Sequence, residues 1–258
     1  MKIVVLVKEV PDTYGDRKLD LETGLADRAA SEPVLDEICE RALEAALAYA
    51  DAHEGTEVSL LSMSPESATG SLRKGLAMGA ASAMHIADPA LAGADLGLTA
   101  EILAAALRQN GFDVVLTGNT STDGAGGMIP AMLAELLDVP HVTGLFRVAI
   151  EADAVSGSRA VDGGVQEVGA ELPAVVSVTE ALPDARFPNF KGIMASKKKP
   201  VQMLTAVELG IDPEDLSAAR SIMLTIAERP PRAAGVKITD EGDAGVKLAE
   251  YLLENRLA

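Results

Sequence analysis

The chain has 258 residues, 48% of them apolar, which is enough for one large domain or for a domain with an extended arm. Its 39 acidic against 22 basic side chains, a formal net charge of −17, exclude a general nucleic-acid binder and leave solubility, or the steering of a basic partner, as the uses of that charge. One cysteine, Cys39, excludes an internal disulfide and a cysteine-based metal cluster; with no Trp and only 3% aromatic residues, the core has to be built from Ala, Val, Leu, Ile and Met.

The opening Met1-Lys2-Ile3-Val4-Val5-Leu6-Val7-Lys8 is too short an apolar run for a signal peptide and is charged near both ends. It predicts a buried strand over residues 3–7. Leu35, Ile38, Ala42, Ala45, Ala46 and Tyr49 recur at helical spacing with acids on the other face, and Cys39 sits among them as a small packed residue. Residues 57–62 predict a second strand, and Pro65 opens a helix to Met78, with Gly79 placed as its cap. A weaker third strand falls at 83–87, a helix at 95–109 ended by Asn110-Gly111, a fourth strand at 112–117, and a fourth helix at 128–137, closed before Pro140. Strands alternating with helices of this length imply right-handed crossovers and a mainly parallel, doubly wound α/β sheet. Ligands of such sheets bind beyond the carboxyl ends of the strands, near the reversal of strand order, so the loops after Val7, Ser62, Ala87 and Thr117 are the places to search.

The pattern changes after Pro140. Residues 142–150, 154–161 and 165–172 are strand-like and divided by turn residues, including Asp162-Gly163-Gly164, which predicts antiparallel hairpins added to the same sheet. Residues 174–178 return to a buried strand. From 179 to 231 periodicity is weak, and 242–255 reads as a helix with Val246, Leu248, Ala249, Leu252 and Leu253 on one side. The division expected is 1–180 for the nucleotide-binding domain and 181–258 for a loop and a C-terminal arm, whose helix docks either on a partner or on its own sheet. No segment reaches the roughly 18 apolar residues of a membrane span, so a cytoplasmic protein is expected.

Two stretches carry chemistry. Gly118-Asn119-Thr120-Ser121-Thr122-Asp123-Gly124-Ala125-Gly126-Gly127 joins a strand to a helix; glycine lets backbone amides approach a ligand, and a helix N-terminus favours a phosphate. It lacks the Gly-Lys-Ser/Thr of a P-loop, and a capped glycine-rich turn is the alternative reading. The second stretch is Arg186-Phe187-Pro188-Asn189-Phe190-Lys191-Gly192-Ile193-Met194-Ala195-Ser196-Lys197-Lys198-Lys199-Pro200. Phe187, Phe190, Ile193 and Met194 are too many large apolar groups for an idle loop, and an apolar anchor set in a partner's pocket is how small contacts gain affinity. The lysines alone would be a solvated cluster. His53, His85 and His141 have no second histidine at ligand spacing, Ser62 and Ser64 lack a hydrolase elbow, and Asp12, Asp36 and Asp123 could meet above the sheet but are equally explained as caps. No catalytic or metal constellation stands out.

The second stretch, with Gly192-Ile193-Met194-Ala195 and the three lysines, closely resembles the signature of the electron transfer flavoprotein β subunit. Val4-Val5-Leu6-Val7-Lys8-Glu9-Val10-Pro11-Asp12, Arg73-Lys74-Gly75-Leu76-Ala77-Met78-Gly79-Ala80 and Thr117-Gly118-Asn119-Thr120-Ser121-Thr122-Asp123-Gly124 are similar to it in the same order, along essentially the whole chain. The resemblance implies an adenine nucleotide α-hydrolase-like fold, an electron carrier subunit with no bond chemistry of its own, and a role in fatty acid oxidation. It implies a heterodimer whose α subunit holds FAD, acyl-CoA and other dehydrogenases as donors, and a quinone oxidoreductase as acceptor. It implies AMP bound in this chain at Leu6, at Asp36, Glu37, Ile38 and Cys39, at Met63, and along Asn119, Thr120, Ser121, Thr122, Asp123, Gly124, Ala125, Gly126, Gly127 and Met128. It further implies partner contacts at Phe187, Phe190, Ile193, Met194, Lys197 and Lys198, with Phe190 as the anchor, and a C-terminal arm wrapped on the α subunit. Where the family often reads Asn-Pro-Phe, this chain has Asp36-Glu37-Ile38, and an acid there suits ribose or base better than phosphate. Bifurcating members, which bind a second FAD, carry a Gly-Asp-Thr-Ala-Gln-Val-Gly run where this chain has Asp123-Gly124-Ala125-Gly126-Gly127-Met128, so AMP is the expected ligand. The alternatives are that second FAD, or an ATP-using enzyme of the same fold.

Overall fold

Lys2–Leu6 (β1), with Ile3, Val4 and Val5 wholly buried, lies in the middle of a nine-stranded sheet in a computed structural model of the chain. The structure describes residues 1–15, 17–215, 220–235, 237 and 239–257; within the weakly periodic stretch and the arm, 216–219, 236, 238 and 258 lie outside the described residues. After β1 come a two-stranded antiparallel ribbon, Glu9–Pro11 (β2) with Pro33–Leu35 (β3), then the helix Glu37–Ala52 (α1) and the strand Glu57–Met63 (β4). Thr69–Met78 (α2) and Ser82–Ile86 (β5) follow, then Leu96–Asn110 (α3), Val114–Gly118 (β6) and Ile129–Leu137 (α4). His141–Ile150 (β7), Ala154–Val161 (β8), Gly164–Glu171 (β9) and Ala174–Val178 (β10) complete the middle of the chain. Phe190–Ser196 (α5), Val201–Leu204 (β11) and Ala244–Glu254 (α6) end it.

The sheet runs β11-β5-β4-β1-β6-β10-β7-β8-β9, parallel from β11 to β7 and antiparallel from β7 through β9. It is an α/β, doubly wound sheet with a hairpin extension, as the alternation of strand and helix signals predicted. Side chains of a strand point alternately to its two faces, so β1 serves two cores. Ile3 and Val5 pack with Leu43, Leu47, Leu72 and Leu76 of α1 and α2; Val4 and Leu6 pack with Ile102, Leu107 and Leu133 of α3 and α4. Each of these buried leucines contributes about 2 kcal/mol through the area it removes from water. The chain first builds β4 and β5 on one side of β1 and then crosses to β6 and β10 on the other. Strand order therefore reverses between β1 and β6, and a crevice opens beyond their carboxyl ends.

Three elements differ from the expectations. The helix from Pro65 begins as a 3-10 turn, Glu66–Ala68, and becomes α-helical only at Thr69. The β2–β3 ribbon has only three residues on each side and too little pattern to be read. The stretch after 179 does build core: β11 pairs in parallel with β5, Leu204 against Ile86, and Leu204 and Ala206 are buried. Four residues with one buried side chain, preceded by Pro200, show no alternation to find. The chain divides into two compact units, Met1–Leu224 and Thr225–Ala258, the first holding the phenylalanine–lysine stretch and the second holding α6. Among the described residues no helix is long and apolar enough to cross a membrane.

Candidate functional site

At the crevice, Asp36 is the central residue. It is the N-cap of α1, is 0% exposed, and its own amide donates to the carbonyl of Lys8 just beyond β1 (2.9 Å). Oδ1 accepts the amide of Ile38 at 2.9 Å, while Oδ2 accepts both the amide and the hydroxyl of Thr122 at 2.8 and 3.0 Å. One carboxylate thus caps a helix and holds the glycine-rich loop to it. Gly118 makes that approach possible: an added Cβ would stand 2.9 Å from Cγ2 of Ile38, closer than packed carbons come.

Asp123, whose side chain is 7% exposed, lies between Lys8 Nζ (2.8 Å) and Arg28 Nη2 (3.2 Å), and it also accepts the amide of Gly124 at 2.6 Å. Burial pushes its carboxyl up, but hydrogen bonds from Lys8 and Ser121 and the Lys8 charge outweigh it and hold it down at about 2. It stays ionised at neutral pH. Arg17 donates to the carbonyl of Thr122, so the 121–123 turn is held from several sides. Beyond it Ala125 sits at φ 49°, a strained value for a residue with a Cβ, and Gly127 at φ 65° completes the turn into α4.

The loop keeps polar groups in reserve. Asn119 Oδ1 and Thr120 Oγ1 are buried without a hydrogen-bond partner, and among the described residues the amides of Gly126, Gly127 and Met128 donate to no protein acceptor. Buried polar atoms are almost always paired, so these orphans, side by side at a strand-order reversal, make the loop the candidate binding site. The sequence-named residues converge here: Leu6 ends β1, Met63 ends β4, residues 36–39 open α1, and Asn119, Thr120, Ser121, Thr122, Asp123, Gly124, Ala125, Gly126, Gly127 and Met128 link β6 to α4. Glu37 is exposed, whereas Cys39 is buried and its thiol is pushed up to about 12 by burial and by the Asp36 charge, so it packs rather than reacts. Lys8, Arg17 and Arg28 were not singled out in the sequence. Lys8 lies in one of the motifs quoted above, but the two arginines sit in a polar stretch with no periodicity to mark them.

The other acids and histidines lie elsewhere. Asp12 accepts the amide of Tyr14 in its own turn (2.9 Å). His85, 0% exposed, places Nε2 within 3.0 Å of Ser64 Oγ, which is itself 3.0 Å from Ser62 Oγ. His53 stacks on Tyr49 at 4.0 Å between ring centroids, and His141 opens β7. Among the described residues no group of three or more His, Cys, Asp or Glu is placed to hold a metal ion.

The phenylalanine–lysine stretch is a firmly based display. Phe187 is 92% and Phe190 79% exposed, and Ile193 and Met194 are also exposed. Below them Arg186 donates to Glu44 of α1 through Nε (2.7 Å) and Nη2 (2.9 Å) and pairs with Asp51 (2.9 Å). Glu44 raises the pKa of that guanidinium, against the opposing effect of burial. Arg41 holds the carbonyl of Leu182 and pairs with Asp184 at 2.6 Å. Asn189 caps α5 by accepting the amide of Gly192 at 2.8 Å. Lys199 Nζ donates to the carbonyls of Leu76, Gly79 and Ala80 at 2.8, 3.2 and 2.6 Å, a cation at the C-terminal end of α2. Arg73 returns the favour, donating to the carbonyls of Ser196 and Lys199. Lys197 and Lys198 remain exposed beside the apolar tip.

Residues 23–209 match the model of the electron transfer flavoprotein domain. The chain is similar to the electron transfer flavoprotein subunit beta of Mycobacterium tuberculosis (strain ATCC 25618 / H37Rv), with 45% identity over 263 residues, 99% of this chain and 98% of the relative. That of Mycobacterium leprae is also 45% identical, with the same coverage. The caffeyl-CoA reductase-Etf complex subunit CarD of Acetobacterium woodii is 32% identical over 93% of this chain and 92% of its own length. With the family model covering most of the sequence and beta subunits aligning along nearly all of it, the chain belongs to the family of electron transfer flavoprotein beta subunits.

Proposed function

We propose that this chain forms a heterodimer with a FAD-bearing α subunit, holds AMP at the carboxyl ends of β1 and β6, and presents the 187–194 tip to dehydrogenases that oxidise acyl-CoA thioesters, with a quinone oxidoreductase as acceptor. FAD, when bound to the α subunit, carries the electrons; this chain supplies binding and orientation. The observation that carries the nucleotide reading is the pair of buried orphan atoms, Asn119 Oδ1 and Thr120 Oγ1, beside unpaired amides at the start of α4. Hydroxyl and carboxamide groups suit ribose and base, and amides at a helix N-terminus suit a phosphate. Asp36 is committed to Ile38 and Thr122, so its part is to hold the loop in place. Asp123 is held ionised between two cations and offers no proton near neutrality, which favours a held nucleotide over one that is turned over.

Co-expression with a flavin-bearing subunit, followed by purification and acid extraction, tests the reading. One AMP and one FAD per heterodimer are expected. Two flavins would establish the bifurcating alternative, ATP turnover by the isolated chain would establish the enzyme alternative, and absence of both heterodimer and adenine nucleotide would defeat the proposal.

The display loop makes a separate prediction. Phe190→Ala removes an anchor that is 79% exposed, so stability, assembly and AMP content stay near wild-type levels. Loss of one interface anchor lowers electron transfer from an acyl-CoA dehydrogenase by about 10- to 30-fold at limiting donor. Stopped-flow flavin reduction reads this directly, and an unchanged rate removes Phe190 from the docking surface.

A further inference from the structure

We propose that residues 17–32 form a strap that retains the nucleotide, with Arg17 and Arg28 as positioning residues that hold the 121–123 turn closed; this rests on the nucleotide reading above. The stretch lies between β2 and β3, and every residue in it is exposed or half-buried; its tip has only light apolar contacts, Leu25 beside Gly93 and Met223 beside Gly24. It nevertheless has order of its own. The amide of Asp20 donates to Leu25 at 2.8 Å, that of Asp27 to Lys18 at 2.9 Å, and Leu19 pairs with Ala26 in an antiparallel bridge. Asp20 Oδ1 closes the tip by accepting the amides of Glu22 and Thr23, each at 2.8 Å. A small ordered hairpin without a core beneath it depends on its side-chain attachments.

Two of those attachments go to the nucleotide loop. Arg17 Nη1 donates to the carbonyl of Thr122; Arg28 reaches Asp123 Oδ2 at 3.2 Å and the carbonyl of Glu9 at 3.4 Å. Thr122 and Asp123 are the residues that Asp36 and Lys8 grip from the sheet side. The turn is thus clamped between the sheet and the strap, and the orphan hydroxyl of Thr120 lies two residues away. A ligand held by residues 119–128 leaves when this turn lifts. Lifting it requires Arg28 to release a carboxylate and Arg17 to release a carbonyl, both charge-assisted contacts of the stronger kind. The strap therefore acts on the rate of exchange more than on the choice of ligand.

The test uses the intact heterodimer with its bound nucleotide, challenged with excess isotope-labelled AMP and followed by mass spectrometry of the extracted nucleotide. The R17A/R28A double variant should exchange its AMP tenfold or more faster than wild type, and R28K on the wild-type background should retain slow exchange. Exchange from wild type should also accelerate with added salt, whereas the double variant should lose that dependence. Limited proteolysis provides the structural control, with faster cleavage between residues 17 and 32 in the double variant. Faster cleavage with unchanged exchange overturns the strap while leaving the nucleotide site in place. A wild-type heterodimer without adenine nucleotide overturns the nucleotide reading itself, and the strap with it.

Discussion

Asp36→Ala should lower the unfolding free energy by about 3 kcal/mol and, on the proposed nucleotide reading, yield purified protein without adenine nucleotide. Loss of a helix N-cap costs about 1 kcal/mol, and leaving the half-buried amide and hydroxyl of Thr122 without their acceptor costs about 1–3 kcal/mol more. The energetic loss falls on the loop that bears Asn119 and Thr120, so binding suffers with stability, and loss of a bound ligand lowers stability further by mass action. Asp36→Asn keeps one acceptor oxygen and should show the intermediate effect. Urea unfolding followed by circular dichroism, with nucleotide quantified in the same preparations, reads both quantities. A wild-type midpoint or full AMP content in the alanine variant would refute the central place given to this carboxylate.

Gly192→Ala should slow donor-driven flavin reduction at least as much as Phe190→Ala does, from a position whose added Cβ would face α2. A Cβ at residue 192 would overlap the carbonyl oxygen of Ala77, well inside van der Waals contact, with the carbonyl carbon 3.4 Å away. A helix backbone does not yield, so α5 has to lift from α2, at a cost of about 1–3 kcal/mol. Phe190 begins that helix and moves with it. AMP content should remain at the wild-type level, because the contacts of Asp36 with Thr122 involve neither α2 nor α5. Stopped-flow reduction by an acyl-CoA dehydrogenase, paired with thermal unfolding and nucleotide extraction, separates a displaced loop from a damaged fold. A variant that transfers electrons at the wild-type rate would show that the position of α5 does not matter to docking.

The sheet was legible because buried parallel strands are written as short continuous apolar runs: residues 3–7, 57–62 and 112–117 each overlap a strand, with ends off by one or two residues. The hairpins were legible for another reason, since Asp162-Gly163-Gly164 marks its turn chemically and Ala154–Val161 forms β8. At the crevice, glycine spacing located the loop, but the order within it could not be read. Asp36 is one more acid in an acidic chain until the fold sets its two oxygens against Ile38 and Thr122. The same holds for Lys8, Arg17 and Arg28, whose common target at 121–123 lies more than 90 positions away in sequence. β11 was lost because a four-residue edge strand with a single buried side chain has no period. In the display loop, composition revealed the exposed phenylalanines, while the need for glycine at 192 appears only when α5 is seated on α2.

β11 also bears on the chain before it has finished folding. Among the described residues it is the last strand to leave the ribosome, and it covers the outer edge of β5, where Met84 and Ile86 belong to an almost wholly buried strand. Until Leu204 has emerged, that edge stands open, and an open apolar edge is a template for pairing with another copy. Lys197, Lys198, Lys199 and Pro200 arrive immediately ahead of β11, three like charges and a residue that cannot donate to a ladder. Charges and a proline beside an apolar strand are the features that disfavour pairing with a second chain, and here they flank the strand that closes the β5 edge.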